Sequence, residues 1–176
     1  TSAASALDLL ENVLTFIRSR AGILTPTLGT VVLREIVDRV RAIQMGEATA
    51  KSISIAVDIP ETVVAHADTT MVETILRNLT ANAVKFTPRG GSVTIDGRTV
   101  GHDVRITVAD TGVGMPAETA RSITTDDTMH TTRGTEGEKG SGVGLMLCRE
   151  LIRVSGGRLN VESEVGVGTR MIVTLP

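Results

Sequence analysis

Apolar residues recur at helical spacing in four stretches of this chain and alternate with polar ones through much of the rest. Leu7, Leu10, Val13, Leu14 and Ile17 form a stripe over residues 7–20, closed by Arg18, Arg20 and Gly22. Beyond that stripe this helix carries only a second patch, Leu9 and Phe16. It reads as an appendage whose stripe packs on the domain or self-associates. Leu33, Ile36, Val37, Val40, Ile43 and Ala48 predict an amphipathic helix over roughly residues 32–51. Behind Asp68, a candidate N-cap, Met71, Val72, Ile75, Leu76, Leu79 and Ala83 predict another, ended by Pro88 and Gly90-Gly91. Residues 143–155 give the fourth, stopped by Gly156-Gly157. Strands are expected at residues 28–30, 53–59, 63–67, 93–96, 104–109, 158–163 and 169–175, the middle pair joined by a hairpin around Gly101. Residues 123–141 are rich in Thr, Gly and charge, and read as a mobile loop.

Strands grouped in twos between helices predict an α+β fold. Its expected form is a two-layer sandwich, a mixed β-sheet covered by helices on one face. A length of 176 residues suits one such domain, over residues 25–176, plus the appendage over residues 1–24. Two Phe, with no Tyr or Trp, leave no platform on which nucleic-acid bases could stack. Eighteen basic against 20 acidic residues give no bulk positive field, so neither nucleic acid nor an anionic membrane is an expected partner. Cys148 has no second cysteine to pair with, lies among Leu147, Leu151 and Ile152, and reads as a small core residue. It suits a reducing, cytoplasmic setting. No apolar run approaches the roughly 18 residues of a membrane span, and the N-terminal residues lack the basic region of a signal peptide.

Three segments carry candidate chemistry. Asn78 and Asn82 lie four apart on one helix face, in a sequence continuing Ala83-Val84-Lys85-Phe86. Asn competes for backbone hydrogen bonds inside a helix, so two on one face ask for a reason; the plain alternative is a solvated face. Asp110-Thr111-Gly112-Val113-Gly114 ends a strand with an acid and two glycines that allow close approach to the backbone. Gly140-Ser141-Gly142-Val143-Gly144-Leu145 opens a helix whose exposed N–H groups suit phosphate oxygens. It does not follow a strand in a βαβ unit, which disfavours a dinucleotide fold. Each segment alone is weak evidence.

Taken together, Asn-x-x-x-Asn-Ala-x-Lys, Asp-x-Gly-x-Gly and Gly-x-Gly-x-Gly-Leu resemble the ATP-binding domain of the GHKL superfamily. That superfamily includes sensor histidine kinases, gyrase B subunits, MutL proteins and ninety-kilodalton heat-shock chaperones. The likeness is strongest to two-component sensor histidine kinases, and it covers residues 28–176. The appendage resembles the last part of the second helix of that family's dimerisation hairpin.

The resemblance implies a Bergerat-type fold, ATP and Mg²⁺ as ligands, and roles residue by residue. Asp110 would accept a hydrogen bond from the adenine amino group, supported by Thr169. Asn82 would place an amide oxygen on Mg²⁺, which prefers hard oxygen ligands. Lys85 would act as a point charge near the phosphates beside Phe86. Gly112 and Gly114 would admit the nucleotide, while Gly140, Gly142 and Gly144, with Leu145, would cradle its phosphates. Arg133 and Lys139 are candidate phosphate clamps. Asn78 stands where gyrase-like ATPases carry a water-activating Glu, and an amide cannot take that proton. Transfer to a histidine is therefore favoured over hydrolysis.

The family's acceptor histidine precedes an acid at the start of a helix, and His66, His102 and His130 all lack that context. The acceptor would lie on a dimerisation hairpin outside this sequence, the downstream partner would be a response regulator receiver domain, and the parent protein would be a homodimer. The loop also departs from the family: it has no Phe over residues 123–130, and Ser141 and Val143 replace the commoner Thr and Leu. The alternatives are a nucleotide-binding interaction module without phosphotransfer and a gyrase- or MutL-like ATPase.

Overall fold

The computed structural model describes residues 2–125, 132–138 and 142–176. Its elements run α1 (Ser2–Arg20), β1 (Gly29–Val32), α2 (Leu33–Ala50), β2 (Ser54–Asp58), β3 (Val64–Ala67), α3 (Thr69–Phe86), β4 (Ser92–Val100), β5 (Asp103–Asp110), α4 (Ala117–Thr125), α5 (Val143–Val154), β6 (Arg158–Glu164) and β7 (Gly168–Leu175).

Five strands form one mixed sheet in the order β2-β4-β5-β7-β6. Only β2 and β4 run parallel within it. Register places Val57, Ile95, Val108, Met171 and Val161 in one apolar row across all five strands. The adjacent row, Asp58, Asp96, Thr107, Ile172 and Asn160, points to the opposite face and is mostly polar. Alternation of this kind puts one face on a core and leaves the other to solvent. The covered face meets α2, α3 and α5, which bury Ile36, Val37, Leu76, Leu79, Leu147 and Leu151. The helices lie next to one another in the order α2, α3, α5, and α1 rests on the outside of α5.

Two elements differ from the sequence reading. Residues 63–67 do not extend the main sheet: β3 pairs antiparallel with β1 as a separate ribbon, and Pro60 turns the chain away between β2 and β3. Residues 117–125 form α4, which packs on β6 and buries Ala120 and Ile123. The stretch read as a mobile loop over residues 123–141 thus opens with the last turn of α4, and its residues 126–131 and 139–141 lie outside the described residues. The apolar anchors of α4 are too few for a periodic signal.

The appendage also docks differently from expectation. Leu7, Leu10, Leu14 and Ile17 face solvent, with Leu7 61% exposed. The opposite side of α1 packs on α5 through Phe16 and the buried Ser19, whose hydroxyl donates to Glu150 Oε1 at 2.8 Å. The domain contact thus comes from Phe16 of the second apolar patch and the polar Ser19, while the main stripe stays exposed, as the self-association alternative requires. Among the described residues no helix is long and apolar enough to cross a membrane.

Candidate functional site

Asp110 is the last residue of β5, and the sheet register sets it opposite Thr169 of β7. Two backbone N–H groups donate to one carboxylate oxygen: Gly112 to Oδ1 at 2.8 Å and Thr169 to the same atom at 3.2 Å. The Gly112 bond is the local two-residue reach typical of an Asp in a turn. The second oxygen receives no hydrogen bond from the described residues. Burial pushes the Asp110 carboxyl above the ordinary carboxylate range, and the two N–H bonds only partly oppose this.

The Thr169 hydroxyl does not reach Asp110. It lies 2.9 Å from Ser163 Oγ, which also donates to the Gly168 carbonyl and accepts from the Met115 N–H. Support for the carboxylate therefore comes from the Thr169 backbone, and Ser163 is a site residue that sequence reasoning missed. Nothing local marked it, because it meets Thr169 only across the β6–β7 ladder.

The glycines earn their places inside the protein first. A Cβ on Gly112 would sit 2.5 Å from the Phe86 carbonyl oxygen, and one on Gly114, at φ +64°, would sit 1.9 Å from that of Glu164. A Cβ on Gly168 would come within 2.0 Å of the Asp110 carbonyl oxygen. The chain itself makes the close approach at these residues, welding β5, β7 and the end of α3 around the carboxylate.

On α3, Asn78, Asn82 and Lys85 are all partly exposed along one side. Asn78 Nδ2 donates to the Thr74 carbonyl at 2.9 Å, one turn back. Its Oδ1 faces α5, where a Cβ on Gly144 would lie 2.5 Å away. Gly144 thus leaves room for the Asn78 amide between α3 and α5. Gly142 is the N-cap of α5 in the left-handed conformation, at φ +72°, and offers no side chain to cap the helix. Leu145 packs partly buried against the core. Lys85 Nζ donates to the Thr132 carbonyl at 3.0 Å and sits 4.7 Å from the centroid of the Phe86 ring. Burial lowers its ammonium below the usual lysine range, against the attraction of Glu138. Arg133 is exposed. Lys139 and Gly140 lie outside the described residues, as does His130. His66 on β3 and His102 in the β4–β5 turn are exposed, and neither opens a helix. Among the described residues no cluster of three or more His, Cys, Asp or Glu could hold a metal by itself.

Residues 132–138 form an anchored turn. The Thr135 N–H donates to the Lys85 carbonyl at 3.1 Å, the Gly134 N–H to the Glu138 carbonyl at 2.9 Å, and Arg89 pairs with Glu136 at 2.7 Å. Lys51, which no motif singled out, reaches this turn from the end of α2. Cys148 is fully buried, and desolvation pushes its thiol up to about 12, as a core residue requires.

Comparison with known proteins accords with this arrangement. Residues 67–176 match the family described as histidine kinase-, DNA gyrase B-, and HSP90-like ATPase. The adaptive-response sensory kinase SasA of Synechococcus sp. (strain JA-2-3B'a(2-13)) is 36% identical over 152 residues, 86% of this chain and 38% of the relative. The histidine protein kinase DivJ of Caulobacter vibrioides is 33% identical over 177 residues, 99% of this chain and 29% of the relative. The solved structure of full-length ShkA in complex with AMPPNP superposes with a TM-score of 0.82 at 29% identity, covering 99% of this chain and 36% of that one. The chain thus spans well under half the length of each of these proteins. The chain belongs to the histidine kinase-, DNA gyrase B-, and HSP90-like ATPase family, and the relatives just described are sensor and histidine protein kinases.

Proposed function

We propose that this chain binds Mg·ATP and hands its γ-phosphoryl group to a histidine on a dimerisation helix supplied by the parent protein, for relay to a response regulator. The observation that carries the reading is the Asp110 carboxylate. One oxygen is fixed by two N–H donors, and the other is left for a ligand donor in a partly desolvated place. An adenine amino group suits it, and a hydrogen bond to a charged acceptor contributes about 1.5–3 kcal/mol.

The remaining residues fit the rest of the nucleotide. The α5 N-terminus behind Gly142 turns the positive end of a helix toward phosphate oxygens. The Lys85 ammonium stands beside Phe86 on the facing helix, and Arg133 is exposed and free to swing in. Asn82 Oδ1 is a hard oxygen suited to share Mg²⁺ with phosphates and water; the metal would neutralise charge on the transferring group. Asn78 is engaged with Thr74 and α5, and its amide cannot deprotonate a water. The incoming imidazole nitrogen attacks phosphorus with its own lone pair as the bond to ADP breaks. The protein's task is therefore positioning and charge stabilisation. The exposed Leu7, Leu10, Leu14 and Ile17 stripe suits a second helix of a dimerisation hairpin and a homodimeric parent.

Incubation with labelled ATP, alone and with a separate acceptor hairpin, tests the reading. Acid-labile, base-stable label on the hairpin, with little free phosphate, is the expected result. Rapid phosphate release without a hairpin would favour a gyrase-like ATPase, and binding without either product would favour an interaction module.

A further inference from the structure

Lys51 is the C-cap of α2 and is 4% exposed, although lysine is seldom buried without partners. The chain reverses sharply just after it: Ser52 takes the left-handed conformation at φ +54°, the Ile53 N–H reaches the Ala48 carbonyl at 2.8 Å, and the Ser52 N–H reaches that of Thr49 at 3.0 Å. This is a Schellman ending with a serine in the position that glycine usually fills. The Lys51 side chain runs under the end of α3 and meets four acceptors. Its ammonium donates to the Val84 carbonyl at 2.9 Å, the Lys85 carbonyl at 3.0 Å, Thr135 Oγ1 at 2.7 Å and, more weakly, Glu138 Oε1 at 3.3 Å.

The first two acceptors are among the carbonyls that a helix C-terminus leaves unpaired, where a cation is favoured. The other two belong to the turn over residues 132–138, which lies between α4 and α5 in the chain and is hydrogen-bonded to the end of α3. One buried charge therefore joins two parts of the site. Thr132, at the front of the turn, is held by Lys85, and Thr135 and Glu138 are held by Lys51. The chain leaves this anchor at Glu138 and enters α5 four residues later, through Gly142.

We propose that Lys51 is a positioning residue for the terminal phosphate. By clipping residues 135–138 to the end of α3 it fixes where Lys85 stands relative to the α5 N-terminus, and so which phosphate the two can share. The proposal rests on the nucleotide reading above. It assigns Lys51 no contact with nucleotide.

The test uses Lys51→Met and, separately, the pair Thr135→Val with Glu138→Gln, which leaves the buried ammonium its two helix carbonyls. Calorimetry with Mg²⁺ measures AMPPNP and ADP affinity, and amide exchange follows Gly134 to Glu136 in the nucleotide-free protein. Both variants are expected to lose AMPPNP affinity by about tenfold while ADP affinity changes by less than about twofold, with Gly134 to Glu136 deprotected. Equal losses for both nucleotides would mark a general structural role and overturn the proposal. So would unchanged AMPPNP affinity in folded variants, or full protection of the turn. If Lys51→Met does not fold, the Thr135–Glu138 pair decides alone. A parent chain that binds neither nucleotide overturns the functional reading and the positioning role together, whereas a parent that binds both with variants unchanged overturns the positioning role only.

Discussion

Thr169 supports Asp110 through its backbone N–H, 3.2 Å from Oδ1, while its hydroxyl turns away to Ser163. Thr169 N–H and Gly112 N–H together fix which oxygen of the carboxylate is committed to the protein and which is presented outward.

That geometry predicts the behaviour of Asp110→Asn. The two N–H donors hold the amide oxygen at the Oδ1 position, so the NH₂ group replaces the outward oxygen and confronts the adenine amino group, donor against donor. ATP affinity is expected to fall by about 1.5–3 kcal/mol, ten- to a hundredfold. The empty protein should become more stable at neutral pH. Burial raises the Asp110 carboxyl, so between the ordinary value of about 3.9 and the raised one the folded state binds more proton than the unfolded. Stability therefore falls as pH rises through that window. The melting advantage of the variant should shrink as pH is lowered to the ordinary carboxylate range, and calorimetry across pH checks both statements.

On the proposed reading, Lys85 should couple nucleotide binding to proton uptake. Its ammonium is destabilised by burial, and a bound triphosphate reverses that. At alkaline pH, approaching the usual lysine value of about 10.4, Mg·ATP binding should draw a proton from solution, and affinity should fall as pH rises. Calorimetry in two buffers of different ionisation enthalpy reads the uptake, and Lys85→Met should abolish it.

Ser52→Gly should stabilise the protein. A serine at φ +54° in a helix ending carries a steric cost that glycine lacks. An increase of about 0.5–1 kcal/mol in chemical unfolding is expected.

Ser19→Ala should loosen the appendage. The buried Glu150 carboxylate keeps its Arg153 partner but loses the Ser19 hydroxyl. A cost of about 1 kcal/mol is expected, with faster amide exchange along α1 and little change in the sheet.

Cys148 should resist thiol reagents in the native state. It is fully buried, and its thiol is pushed up to about 12. Labelling at mild pH should be slower than in denaturant by about a thousandfold or more, because it requires opening of the α3–α5 core.

The sequence carried the periodic parts of this molecule plainly. The α3 stripe from Met71 to Ala83 behind its Asp68 cap appears as read, with Asp68 Oδ1 accepting from the Met71 N–H at 3.1 Å. The Gly101 hairpin does too, since its register follows from alternation on both sides. What escaped was whatever depends on partners remote in the chain. Nothing local marks 63–67 as a strand of a different sheet from 53–59. α4 has only Ala120 and Ile123 to bury, too few to set a period. Lys51, Ser163 and Ser19 look like ordinary polar residues until folding brings them to Glu138, Thr169 and Glu150. The candidate site was legible because its residue types are unusual for their elements, as with asparagines inside a helix and an acid at a strand end.

The tight passages at Gly112, Gly114, Gly144 and Gly168 bear on how related chains are to be read. At Gly112, Gly114 and Gly168 a backbone carbonyl demands glycine, whatever the molecule does with nucleotide, whereas at Gly144 the neighbour is the movable end of the Asn78 side chain. A descendant without the proposed phosphotransfer would still have to keep those three or lose its shape, so these glycines are a signature of architecture. Residues free of that steric demand are the ones a pseudoenzyme could discard: Asn82 and Arg133 first, then the Lys85 ammonium. A silent copy of this domain would be recognised by drift there, beneath an untouched set of glycines.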